Sequence, residues 1–225
     1  MNAAADKPLA FSVDGTGEEI VLSGFTAVVA GYTGRDLAAV QHHIDELAAI
    51  GVAPPPEIPM FYPMPPELFD TSGRHTGSEH LTSGEVEPVY IRHAGRYFLG
   101  IGSDHTDRDL ETQDVAASKR ACPKPVSRTV IAVDDLAALS LDECVARCWV
   151  DGDRYQEGTL SGLRTPKEIV DLFLERTGLG DDDFVCLGGT LPLLDGKFRA
   201  GTRWRVRLDL PGGRFLEHEY TMEKG

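Results

Sequence analysis

The chain has little of what marks a secreted, membrane-bound or nucleic-acid-binding protein. It has four cysteines in 225 residues (Cys122, Cys144, Cys148 and Cys186) and no CxxC, too few for a disulfide scaffold. Positive charge is also scarce: 22 Lys and Arg stand against 36 Asp and Glu, a formal net charge of −14. A surface of that sign repels nucleic acid and anionic membranes, so neither is expected as a partner. No apolar run approaches the roughly 20 residues that cross a bilayer, and the N-terminus lacks the pattern of a secretory signal, so a cytoplasmic protein is expected. The triplet Gly15-Thr16-Gly17 lacks the third glycine of a dinucleotide fingerprint.

A hydrophobic content of 41% is enough for a sizeable core. Alternation through Ala10 to Leu22 around Asp14-Gly15 predicts a β-hairpin. An apolar run from Phe25 to Ala30 predicts a strand. The spacing of Leu37, Val40, Ile44, Leu47 and Ile50 up to Gly51 then predicts an amphipathic helix. Seven prolines between residues 53 and 66 predict a stiff, extended surface loop without helix or central strand. The Ser-, Thr-, Gly- and His-rich stretch 70–83 is expected to be a mobile loop beside a site. Short strands are predicted over 85–91, 96–101, 129–133, 141–150, 184–187 and 204–210, with one helix opening at Thr165-Pro166 and closing at Gly178. In the 141–150 run, Cys144, Ala146, Cys148 and Val150 share a face and are expected to be buried. The sum is an α+β, mainly β fold. A single domain spanning 1–225 is expected, with hairpin, helix and Pro-rich loop over 1–66 and a β-rich, metal-binding core over 67–225.

Two segments concentrate acidic side chains. In SGEVEPVYI, Glu85 and Glu87 sit two apart on a strand, so their carboxylates point to one face. They are either solvated on an exposed face or share a hard cation such as Mg²⁺, Mn²⁺ or Ca²⁺, which oxygen ligands favour. In GIGSDHTDRDLE, Asp104 arrives as a strand ends and can give such an ion a third carboxylate. Arg108 and Lys119 supply cations nearby. The competing reading of that segment is a turn with local Asx bonding and surface ion pairs.

These residues resemble the fumarylacetoacetate hydrolase superfamily, specifically its short bacterial branch. Glu85-Val86-Glu87 is similar to the family's E-x-E ligand pair, and Asp104-His105-Thr106-Asp107-Arg108-Asp109 to its D-x-T-x-R-D motif. Lys119 in SKRACPKPVS resembles the active-site lysine, Tyr155-Gln156-Glu157-Gly158-Thr159 the R-Q-x-x-x-T segment, and Gly189-Thr190 the late G-T-P turn. His43-Ile44-Asp45-Glu46 resembles the H-x-x-E pair that orients an attacking water, with His42 and Arg35 as alternatives in another register. Pro63 stands where the family has a lysine.

The resemblance implies a mixed β-sheet roll with a few helices and a homodimer. It implies Mg²⁺ or Mn²⁺, with Ca²⁺ the alternative, on Glu85, Glu87 and Asp104. Catalytic roles are implied for His43, Glu46 and Lys119, and binding of a small anionic oxo-acid by Arg108, Gln156 and Thr190. The implied reaction is hydrolytic C–C cleavage of an acylpyruvate-type 2-oxo acid through a metal-stabilised enolate. The alternatives are a lyase or isomerase (decarboxylase or dehydratase) with the same metal, and a non-catalytic ligand-binding domain with a structural metal.

Overall fold

Strand pairing gathers most of the strands into two large sheets. The structure, a computed structural model, describes residues 8–49, 51–77 and 79–224; the side chains of His43, Leu47 and Lys224 lie outside that description. Strands hold 42% of the described residues and helices 20%, so the α+β, mainly β expectation holds. No described helix is long and apolar enough to cross a membrane.

The eight-stranded sheet has the Val86–His93 and Arg96–Ser103 hairpin near its middle, turning at Ala94 (φ 50°) and Gly95 (φ 76°). Phe184–Leu187 pairs antiparallel with Val86–His93 and parallel with Thr26–Gly31, and Met60–Met64 closes that edge. The opposite edge is the Leu9–Val13 and Glu19–Leu22 hairpin, joined through Thr129–Val133. The second sheet has five strands: Asp153–Thr159, Val145–Val150, Arg203–Asp209, Phe215–Lys224 and Arg74–Gly77.

Because side chains alternate across a strand, the central hairpin feeds two cores. Val86 and Tyr90 enter a cluster with Cys148, Trp204, Val206 and the helix residues Ile169, Val170 and Phe173. Val89 and Ile91 enter another with Leu9, Phe11, Val126 and Val185. The helix Pro166–Thr177 starts as its sequence predicts, with Thr165 and Glu168 forming a capping box, and stops at Gly178 in the left-handed conformation (φ 63°). Cys144, Ala146, Cys148 and Val150 are buried on one face, as predicted. Burial pushes the Cys122 thiol up to about 11, so it is not a thiolate at neutral pH.

Two local expectations need correction. The Pro-rich stretch does contain a strand, Met60–Met64, and Pro63 is tolerated because that strand lies at the sheet edge. The 70–83 stretch is not an open loop. Phe69–Asp70 pairs with Lys124–Pro125, Arg74–Gly77 with the C-terminal strand, and Thr82–Ser83 with Thr106–Asp107.

Candidate functional site

The site grows from the register of the central hairpin. Val86 faces Ser103 and Glu87 faces Gly102, and the ladder runs one step further, with the Asp104 amide donating to the Glu85 carbonyl at 3.1 Å. Glu85 and Asp104 are therefore opposite one another, with Glu87 two residues along on the same face. Gly102 is required there, since a Cβ would sit 2.9 Å from the Pro125 carbonyl and 3.0 Å from Val89. Glu87 and Asp104 are buried at 2% and 0% exposure, so they are not the solvated glutamate face or the surface turn that the sequence alone allowed.

Three buried cations answer these carboxylates. Lys119 bonds to Asp104 Oδ2, and Lys124 lies 3.0 Å from Asp104 Oδ1 while donating to the carbonyls of His105 (2.5 Å) and Lys119 (2.6 Å). Arg108 reaches Glu85 at 3.1 Å, Glu111 at 2.9 Å and the Ser83 hydroxyl at 2.7 Å, and Phe198 stacks on its guanidinium at 4.0 Å. Burial alone would raise the Asp104 pKa, but the two ammonium groups override it and hold it below the usual carboxylate range. Glu87 is the opposite case. Burial, then the Asp104 charge, pushes its carboxyl well up, and the Gly189 amide at 2.8 Å offsets this only in part. Burial and the nearby cations Lys124 and Arg108 hold the His105 imidazole neutral.

The carboxylates share a face but do not converge. Among the described residues, the trio whose ligand atoms all lie within 4.8 Å of one another is His80, Asp107 and Asp109, not Glu85, Glu87 and Asp104. The lysines draw Asp104 to themselves, and Arg108 draws Glu85. A hard divalent cation still fits this donor set. Three carboxylates lie on one face of the hairpin, two of them buried, and oxygen ligands are what such an ion takes.

The other sequence candidates fall in two places. Gln156 and Thr190 are close to the carboxylates but occupied by main chain. Gln156 Oε1 accepts from the Val86 amide at 2.9 Å, and its Nε2 donates to Thr190 Oγ1 (2.9 Å) and the Leu191 carbonyl (2.6 Å). Thr190 donates to the Val86 carbonyl at 2.9 Å. Both amide donors of Gln156 are thus engaged in tying the strand that bears the glutamates to the Gly189–Leu191 turn. On the helix Leu37–Ala49, Glu46 pairs with His42 at 3.3 Å, with 62% and 76% of their side chains exposed. The His43 side chain lies outside the described residues, and Arg35 is held by Asp142.

Sequence reasoning missed Lys124 and the aromatic wall beside Lys119, where the Tyr62 ring lies 5.6 Å from the ammonium. The signal for Lys124 was its Pro-Lys-Pro setting, which fixes an extended backbone just after a helix.

The family described as "Protein of unknown function (DUF2848)" matches residues 30–220. The chain belongs to that family. No curated protein matches this DUF2848 chain in sequence. Its fold is that of the fumarylacetoacetate hydrolase proteins. It superposes on a fumarylpyruvate hydrolase from Pseudomonas aeruginosa, solved with Mn²⁺ and pyruvate, with a TM-score of 0.64 and 14% identity, covering 100% of this chain and 99% of that one. A protein from Oleispira antarctica, provisionally described as a fumarylacetoacetate isomerase/hydrolase, gives 0.67 at 14% identity over 94% and 98%. A provisional fumarylpyruvate hydrolase from Burkholderia cenocepacia gives 0.62 at 17% identity over 99% and 94%.

Proposed function

We propose that this chain is a divalent-metal-dependent enzyme for small 2-oxo acids, cleaving a C–C bond of an acylpyruvate-type substrate by hydrolysis. The observation that carries this reading is the placement of Glu85, Glu87 and Asp104 on one face at the end of the central hairpin, with Glu87 and Asp104 buried. The Mn²⁺ and pyruvate bound to the Pseudomonas aeruginosa protein of the same fold support it. Glu85, Glu87 and Asp104 hold Mg²⁺ or Mn²⁺, which supplies Lewis-acid polarisation of a bound oxo group.

The chain's own groups do the rest. With Glu111 counted, four carboxylates face three cations. A divalent ion turns that deficit into one positive charge, which suits an anionic substrate. Lys119 and Arg108 take its carboxylate, and burial of both cations strengthens that grip by excluding water. Gln156 and Thr190 act on substrate through the strand they clamp. His43 with Glu46 draws a proton from the attacking water. A cytoplasmic homodimer belongs to the same proposal.

A second reading, a lyase or isomerase without a nucleophilic water, is favoured by the bonding of Glu46 to His42 on an exposed helix face. Turnover of a panel of acylpyruvates and oxo-acids with Mg²⁺, Mn²⁺ and EDTA tests the first claim, and lack of metal-dependent turnover of every compound refutes it. Separate His43→Ala and Glu46→Ala variants then divide the readings: full activity in both removes the hydrolase.

A further inference from the structure

The peptide that carries Glu85 is enclosed by three polar side chains. A Cβ on Gly84 would collide with the Tyr220 hydroxyl and the Ser103 hydroxyl and would press on His105 Nδ1, so only glycine passes there. The Glu85 amide donates to Ser103 Oγ at 3.1 Å, Ser103 Oγ lies 2.8 Å from Tyr220 Oη, Tyr220 Oη lies 3.1 Å from His105 Nδ1, and His105 Nε2 lies 3.1 Å from Thr82 Oγ1. Ser103 and His105 have no exposed surface, Tyr220 is 2% exposed and Thr82 9%.

The Glu85 end of this chain fixes its direction. A backbone N–H can only donate, so Ser103 accepts from Glu85, and its own proton has one described acceptor, Tyr220. Tyr220 then gives its proton to His105 Nδ1, which makes that nitrogen the acceptor and leaves the ring hydrogen on Nε2, aimed at Thr82. The reverse direction leaves the buried Ser103 hydroxyl without a described acceptor, which is unfavourable for a group shut off from water. Every hydrogen bond thus runs away from Glu85, and runs of aligned donors strengthen one another.

We propose that Tyr220 is a positioning residue for the carboxylate site: it is the central link of a one-directional relay from the Glu85 amide to Thr82 that fixes His105 as its Nε2–H tautomer. The relay ties the end of the eight-stranded sheet to the C-terminal strand of the other sheet, so the Glu85 main chain is set by a residue 135 positions away. The effect on metal binding rests on the proposed function; the tautomer does not.

The test has two arms on the full chain. In the first, ¹⁵N NMR of the imidazoles at neutral pH reads the His105 ring, assigned through its intraresidue couplings. An Nε2–H tautomer is expected in the native protein, and an Nδ1–H tautomer overturns the relay. In the second, Tyr220→Phe keeps the ring that stacks on Trp204 (12° between planes) and removes only the hydroxyl. Mn²⁺ affinity, read by the EPR signal of the free ion, is expected to fall about tenfold or more, as for other groups that orient metal ligands, with Ser103→Ala giving a similar loss. An unchanged affinity in both variants, while Glu85→Ala abolishes binding, overturns the positioning role. If Glu85→Ala itself leaves Mn²⁺ binding intact, the metal reading fails, and the NMR arm alone decides the relay.

Discussion

The Glu85, Glu87 and Asp104 carboxylates and the His80, Asp107 and Asp109 group come from the same thirty residues of chain, yet they meet different surroundings. The second group converges: His80 bonds to Asp107 at 2.7 Å, and of the three only Asp107 is buried, the His80 side chain being 59% exposed and Asp109 exposed. Water screens such charges, so bringing them together costs little and stabilises little. The first group is buried, where each charge needs its own partner, and it spreads toward Lys119, Lys124 and Arg108. Convergence of ligand atoms thus goes with exposure, whereas buried carboxylates are held apart by the cations that pair with them.

The comparison can be broken most sharply at Asp104. Asp104→Ala strands two buried ammonium groups, and a loss of about 3–5 kcal/mol in urea unfolding is expected. Lys124→Met, which leaves Lys119 on Asp104, is expected to cost about 3 kcal/mol by the same measurement. Both losses shrinking to surface size would mean that the cluster is wetter than its burial indicates.

A third expectation concerns pH. Burial, then the neighbouring His75, lowers the His218 pKa to about 4 from its ordinary value near 6.5. Above pH 6.5 neither folded nor unfolded chain protonates this ring, so it adds nothing to the slope. As pH falls from 6.5 toward 4 the unfolded chain takes the proton first, and stability drops by about 2–3 kcal/mol. His218→Phe should flatten that limb of the stability profile; an unaltered limb would assign the acid sensitivity elsewhere. The smallest effect is expected at the open cluster: Asp109→Asn should change stability by less than about 0.5 kcal/mol.

Local periodicity made much of the fold legible. The N-terminal hairpin, the helix after residue 36 and the capped helix at Thr165 depend on neighbours in sequence, and their signals stood in the sequence. The strand at Met60–Met64 was hidden because proline forbids a central strand but not an edge, and edge position is a property of the whole sheet. Strand Phe215–Lys224 was missed because FLEHEYTMEK mixes charged residues among its apolar ones, and its outer face carries Glu217 and Glu219. That Glu85, Glu87 and Asp104 share a face was legible because strand alternation and a strand end fix where they point. Their cation partners were only half visible: Lys119 was found, while Lys124 depends on a turn that brings it under Asp104. Gln156 and Thr190 were placed near the site, but that their donors are taken up by Val86, Leu191 and each other follows only from the tertiary fold.

The account rests on which of the two acidic groups takes a divalent cation, and Mn²⁺ titration followed by EPR of the free ion, run on the native chain, Glu87→Gln and Asp109→Asn, asks this most directly. The expected result is at least a tenfold loss of affinity in Glu87→Gln and native affinity in Asp109→Asn; native affinity in Glu87→Gln together with loss in Asp109→Asn would contradict it.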